Sequence, residues 1–177
     1  MLDTLITSKT RVKLLLKFFL NSNSSSYLRA LENEFGESSN AIRLELNRFE
    51  DAGLLKSKLS ANKKIFNANT KHPLFKDIHN ILLKYVGLDH IIDEVINKLG
   101  KVEIVYLLGD FAKGKDGKIL DLLFVGKEID RNFLIKLIDK AEKLIKRKIR
   151  FMVLGKVESE EYIKDINDSE LLLLWKE

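Results

Sequence analysis

The stretch Ser38-Ser-Asn-Ala-Ile-Arg-Leu-Glu-Leu-Asn-Arg-Phe-Glu-Asp-Ala-Gly-Leu-Leu55 decides how the first part of the chain is read. Ser38 or Ser39 can cap a helix, because a serine hydroxyl accepts from the free N–H groups of a first helical turn. Ile42, Leu46 and Phe49 then recur on one helical face, and Gly53 stops the run. Further along, Leu54–Leu59 and Lys64–Asn69 are short alternating runs separated by Ser60-Ala-Asn-Lys63, the signature of a β-hairpin. In the other direction, Gly36 closes a short helix from Tyr27 to Phe35 that buries Leu28, Leu31 and Phe35. Before it, Asn21-Ser-Asn-Ser-Ser-Ser26 reads as a turn, with no partnered base that would make a serine a nucleophile. Earlier still, Ser8 or Thr10 caps a helix carrying Val12, Leu15, Leu16, Phe19 and Leu20 at helical spacing. Three helices followed by a hairpin predict a winged helix-turn-helix over residues 1–71.

Charge supports a polyanionic partner for this segment. The net charge is +5 over 177 residues. Residues 1–71 hold 12 Lys/Arg against 7 Asp/Glu, whereas residues 72–177 hold 19 of each, so the whole excess lies in the first segment.

The quoted stretch resembles the recognition helix and following strand of the ArsR/MarR-type winged-helix regulators, most specifically in its Glu-Asp-Ala-Gly-Leu-Leu ending. The resemblance implies a transcriptional regulator that binds double-stranded DNA as a homodimer, its helix in the major groove. Carried over by position, it places Ser38, Ser39, Asn40, Arg43 and Asn47 against DNA, and the wing residues Lys56, Lys58, Asn62, Lys63 and Lys64 on phosphate or minor groove. The residue types suit those roles, since Arg pairs bidentately with guanine, Asn with adenine, and Lys neutralises phosphate. Glu45, Glu50 and Asp51 dilute the positive surface of the helix.

Residues 72–87 read as a linking helix. Pro73, the single proline, suits its first turn, and Phe75, Ile78, Ile81, Leu82 and Tyr85 trace an apolar stripe that serves the chain's own core or a dimer.

Residues 88–177 alternate helix and strand. Leu88–Leu99 is an amphipathic helix closed by Gly100, and Val102–Leu108, Ile119–Val125 and Ile149–Leu154 are apolar strand-like runs. Arg131–Lys146 is a helix with Phe133, Leu134, Leu137, Ile138, Ala141, Leu144 and Ile145 inward, Glu158–Ile166 a short helix, and Leu171–Trp175 a last strand. The expected architecture is an α/β sandwich on a small mixed sheet, making the whole chain α+β.

Within it, Leu107-Leu-Gly-Asp-Phe-Ala-Lys-Gly114 followed by Ile119-Leu-Asp-Leu-Leu-Phe-Val-Gly126 resembles the core of the minimal nucleotidyltransferase family of the DNA polymerase β superfamily, which carries Gly-Ser-x-Ala-x-Gly and then Asp-x-Asp-Leu-Leu-Val. That family's chemistry needs the Gly-Ser pair on the triphosphate, and the two Asp with a third carboxylate to hold two magnesium ions. Here the Ser position is Asp110, the first metal-binding Asp is Ile119, and Ile149–Leu154 brings no acid. Asp121 alone is too few ligands for two hard cations. The expectation is therefore a catalytically inert domain with a vestigial nucleotide site at Gly109, Asp110, Lys113, Gly114 and Asp121, with no catalytic residues, no cofactor and no bound metal. It would serve dimerisation, partner docking or sensing of a small-molecule or protein effector. The alternatives are an active magnesium-dependent nucleotidyltransferase using Asp110 and Asp121, or a protein-interaction adaptor.

Other features are excluded or ordinary. Cysteine is absent, which removes disulfides, thiolate metal sites and a catalytic thiol. Arg11, Lys13 and Lys17 interrupt the first apolar residues, and the longest leucine run is Leu171–Leu174, so a cytoplasmic protein with no signal peptide or membrane span is expected. Lys143, Lys146, Arg147, Lys148 and Arg150 form a basic cluster at a helix end, and neither His72 with His79 nor His90 with Glu94 makes a complete metal site.

Overall fold

The structure, a computed structural model, describes residues 5–89, 91–92 and 101–177. It is an α+β chain with two small sheets that divides into two compact units, residues 1–82 and 83–177.

The first unit begins with α1 (Lys9–Leu15), capped by the Ser8 side chain, which accepts from the Arg11 N–H. The helix runs on as a π-helical stretch, Leu16–Leu20, whose Leu16, Phe18, Phe19 and Leu20 are buried. Burying side chains of this size contributes about 1.5–3 kcal/mol each. Lys17, also buried, is compensated by Glu34 at 3.1 Å. Next come β1 (Ser25–Tyr27), α2 (Leu28–Phe35) and α3 (Ser39–Asp51). Gly36 ends α2 at φ +62°, a left-handed conformation that carries no Cβ penalty in glycine. Ser38 caps α3 by accepting from the Ala41 N–H. The hairpin is β2 (Leu55–Ser60) and β3 (Lys63–Ala68), joined by Ala61 and Asn62, both at positive φ. Strand order is β1-β3-β2, all antiparallel. The polar break at 21–26 is thus a turn only in part, because Ser25 and Ser26 pair with Asn67 and Phe66 as an edge strand.

Helix α4 (Phe75–Val86) follows Pro73, and the division between the units falls within it. From its stripe Leu82 is buried and Ile81 is half exposed. The helix expected over 88–99 falls largely outside the described residues, as do His90 and Glu94.

The second unit comprises β4 (Val102–Leu108), α5 (Gly109–Ala112), β5 (Ile119–Gly126), α6 (Arg131–Ile145), β6 (Lys148–Leu154), α7 (Lys156–Lys164), a single 3-10 turn (Asp168–Glu170) and β7 (Leu171–Lys176). The sheet order is β6-β5-β4-β7, with β5 and β6 parallel and the other pairs antiparallel. Inner strand β5 is buried from Leu122 to Val125, which explains its nearly unbroken apolar run. Asp130 caps α6 through two N–H groups, and Leu134 and Ile138 fill the core. Leu144, expected inward, is 65% exposed. The last inward position belongs to Ile145, against which a Cβ on Gly87 would collide. Among the described residues no helix is long and apolar enough to cross a membrane.

Candidate functional site

In the first unit, the side chains that the sequence proposed for a nucleic-acid partner sort into three sets. Arg43 and Asn47 lie one turn apart on α3, because a four-residue step returns to the same helical face. Ile42, Leu46 and Phe49, on the adjoining inward face, are buried and fix the rotation of the helix. Arg43 and Asn47 share a groove of about 480 Å³ with Asn62, Lys63 and Lys64 of the hairpin, on a floor that includes Leu46 and Phe66. The groove is completed by Tyr27 and Arg29 at the start of α2.

Lys56 and Lys58 form the second set. They stand opposite Asn67 and Ile65 in the ladder, one residue out of step with Ser57–Phe66 and Leu59–Lys64, and therefore on the other face of the hairpin. Both are exposed, but neither lines the groove. The third set, Ser38, Ser39 and Asn40, lies at the start of α3 outside the groove lining, with the Ser38 hydroxyl engaged as the cap.

The acidic residues of α3 do not dilute the outer face equally. Glu45 is turned inward, its side chain 6% exposed. It takes two bonds from Arg11, at 2.8 and 3.1 Å, and one each from Ser8 and Arg48. Burial pushes its carboxyl pKa up, but the bonds from Arg11 and Ser8 and the nearby Arg11 and Arg48 charges outweigh that and hold it below the ordinary value. Glu50 accepts from Lys64 at 2.6 Å and from Ser57 at 2.5 Å, and those bonds lower its pKa too. The pairing holds the hairpin to α3 and occupies Lys64, while the Lys63 ammonium lies 4.5 Å from the centre of the Tyr27 ring. Sequence reasoning missed Tyr27 and Arg29 because it read Tyr27 as the start of a core helix; the available signal was a Tyr–x–Arg pair directly after the polar run Asn21–Ser26.

In the second unit, a separate cleft is lined by Leu108, Gly109, Asp121, Leu122, Arg150, Phe151, Met152, Tyr162, Ile166 and Glu170. Gly109 leaves β4 at φ +65°, a conformation that favours glycine, and a Cβ there would lie 3.2 Å from an Asp121 carboxylate oxygen, a tight approach. Asp121 interrupts the apolar run of β5 and is the register partner of Arg150 on parallel β6. Arg150 donates Nε to one carboxylate oxygen at 2.6 Å and Nη2 to the other at 2.9 Å.

The remaining members of the proposed nucleotide site do not line the cleft. Asp110 is exposed in the first turn of α5 and does not line the cleft. Lys113 pairs with Glu170 at 2.8 Å, and Gly114 turns the chain at φ +78°. The basic cluster is partly neutralised: Lys148 pairs with Glu142, Arg150 with Asp121, and Arg147 with Asp116 at 2.7 Å. Arg147 also donates to the Gly117 carbonyl and lies over the Phe111 and Tyr85 rings. Among the described residues, no group of three or more metal-capable side chains gathers.

No protein-family model matches the chain, and no curated protein matches it. Among solved structures it is similar to one described as a "putative nucleotidyltransferase from Sulfolobus solfataricus", at 24% identity over 55% of this chain and 82% of that one, with a TM-score of 0.37. That likeness assigns no residue here a role. It does correct one expectation, that the chain is not an enzyme, because the protein it resembles carries an enzyme's name.

Proposed function

We propose that the first unit is a winged helix-turn-helix that binds double-stranded DNA and gives the chain a regulatory role. The observation carrying this reading is the convergence of Arg43 and Asn47 from α3 with Asn62, Lys63 and Lys64 from the hairpin on one groove. Arg and Asn offer the paired donors and acceptors that read base edges, and lysines offset phosphate charge. The net +5 of residues 1–71 supplies long-range attraction. Binding as a homodimer, through the half-exposed part of the α4 stripe, belongs to the same proposal. Fluorescence-anisotropy titration of the full chain with random duplex at two salt concentrations tests it. Binding that weakens steeply with salt is the expected outcome, and no binding at low salt removes the reading.

A second reading concerns the second unit, and the close approach of Gly109 to Asp121 in the cleft favours it. A glycine turn opening a short helix beside a strand carboxylate is an arrangement suited to a nucleoside triphosphate and its transfer. Incubation with magnesium and a labelled nucleoside triphosphate, read as label on nucleic acid or protein, checks it. Label above the level of a magnesium-free control supports transfer, and its absence removes this reading while leaving the first intact.

A further inference from the structure

The Asp121–Arg150 pair is unusual in where it sits. Its two members are register neighbours on parallel strands, and both line the cleft, the Asp121 side chain 26% exposed. An exposed ion pair contributes little stability, so a fold gains small benefit from placing one there. The pair is side-on, which spends two of the five N–H donors of Arg150 and fixes the plane of the guanidinium. Among the described residues, Nη1 of Arg150 makes no hydrogen bond. The side chain is 69% exposed, so ligand can reach that corner. Asp121 thus both neutralises one edge and aims the other.

Resting on the reading of the cleft as a nucleotide site, we propose that Arg150 is its anion hook, donating its free N–H groups to a phosphate of a nucleoside triphosphate. An arginine fork suits phosphate oxygens, and the bond is charge-assisted. Tyr162, Phe151 and Met152, lining the same cleft, offer an aromatic and apolar surface for the base, which makes a nucleotide rather than free phosphate the fitting occupant. Asp121 is then a positioning residue for Arg150.

Titration calorimetry on the full chain tests this with ATP, inorganic phosphate and adenosine as probes, comparing the native protein with Arg150→Ala and Arg150→Lys. Circular dichroism verifies that both variants fold, as expected for an exposed side chain. ATP affinity falls at least tenfold in Arg150→Ala and by an intermediate factor in Arg150→Lys, which keeps the charge without the fork. Adenosine affinity is unchanged. Equal ATP affinity in native protein and Arg150→Ala overturns the proposal, as does phosphate binding as tightly as ATP, which would mark a free-phosphate site. The labelling assay separates the two ideas: transfer with no Arg150 effect on binding discards the hook alone, whereas ATP binding lost in Arg150→Ala without transfer keeps the hook and discards the transfer reading.

Discussion

Glu45 shows how one carboxylate can support the proposed reading surface without being on it. Three hydrogen bonds from Ser8 and Arg11 tie the start of α1 to α3, a fourth comes from Arg48 within α3, and the outward face of α3 is left to Arg43 and Asn47. Glu45→Gln removes the charge from a nearly buried acceptor of Arg11 and should cost about 2 kcal/mol in urea unfolding. Because the folded carboxyl is held below its ordinary pKa, its contribution is complete above the unfolded-state value and is lost as the pH falls through the folded-state value. Acidification through that window should therefore lower the native urea midpoint more than that of Glu45→Gln. For the proposed base reading, Arg43→Ala should lose about 1–3 kcal/mol on its preferred duplex and little on random duplex. Equal losses on both would assign Arg43 to the phosphates.

At the scale of elements, the hairpin carries a strain that can be relieved. Ala61 adopts φ +44° at the first position of a two-residue turn, where residues with a Cβ pay and glycine does not. Ala61→Gly should stabilise the protein by about 0.5–1 kcal/mol in thermal unfolding, and an unchanged melting temperature would mean that the turn relaxes in solution. Binding should also distinguish the two adjacent lysines. Lys63→Ala should reduce the salt slope of duplex binding by about one, while Lys64→Ala should reduce it less because Lys64 must first leave Glu50.

The elements most legible in the sequence were those with local signals. Ser8 or Thr10 and Ser38 or Ser39 mark the helix starts by capping chemistry, with Ser8 and Ser38 the caps in the structure, Gly36 and Gly53 mark helix ends, and β4 and β5 stand out as apolar runs. What escaped was non-local. Ser25–Tyr27 has no strand pattern of its own and becomes β1 only by pairing with β3 some forty residues away. The opposite facing of Lys56 and Lys64 depends on ladder register, and the meeting of Asp121 with Arg150 depends on parallel alignment of β5 and β6. Leu144 fits the helical stripe by spacing, but the inward face of α6 runs through Leu134 and Ile138 to Ile145, which leaves Leu144 turned outward.

Over the whole molecule, the cationic excess of residues 1–71 sets a division of labour that can be measured. If duplex binding belongs to the first unit, Lys143→Ala with Lys148→Ala should leave duplex affinity and salt slope within about twofold, since Lys148 is already engaged by Glu142. A large loss would bring the basic cluster of the second unit into the interface. The order β6-β5-β4-β7 has a further consequence, for synthesis on the ribosome. Strand β4 lies inside the sheet, yet one of its edges is completed by residues 171–176. Until those residues leave the exit tunnel, that edge offers unpaired backbone to any neighbouring nascent chain. The first unit, whose sheet closes by residue 68, can fold long before then, so chaperone protection during translation is needed chiefly while residues 102–176 are being made.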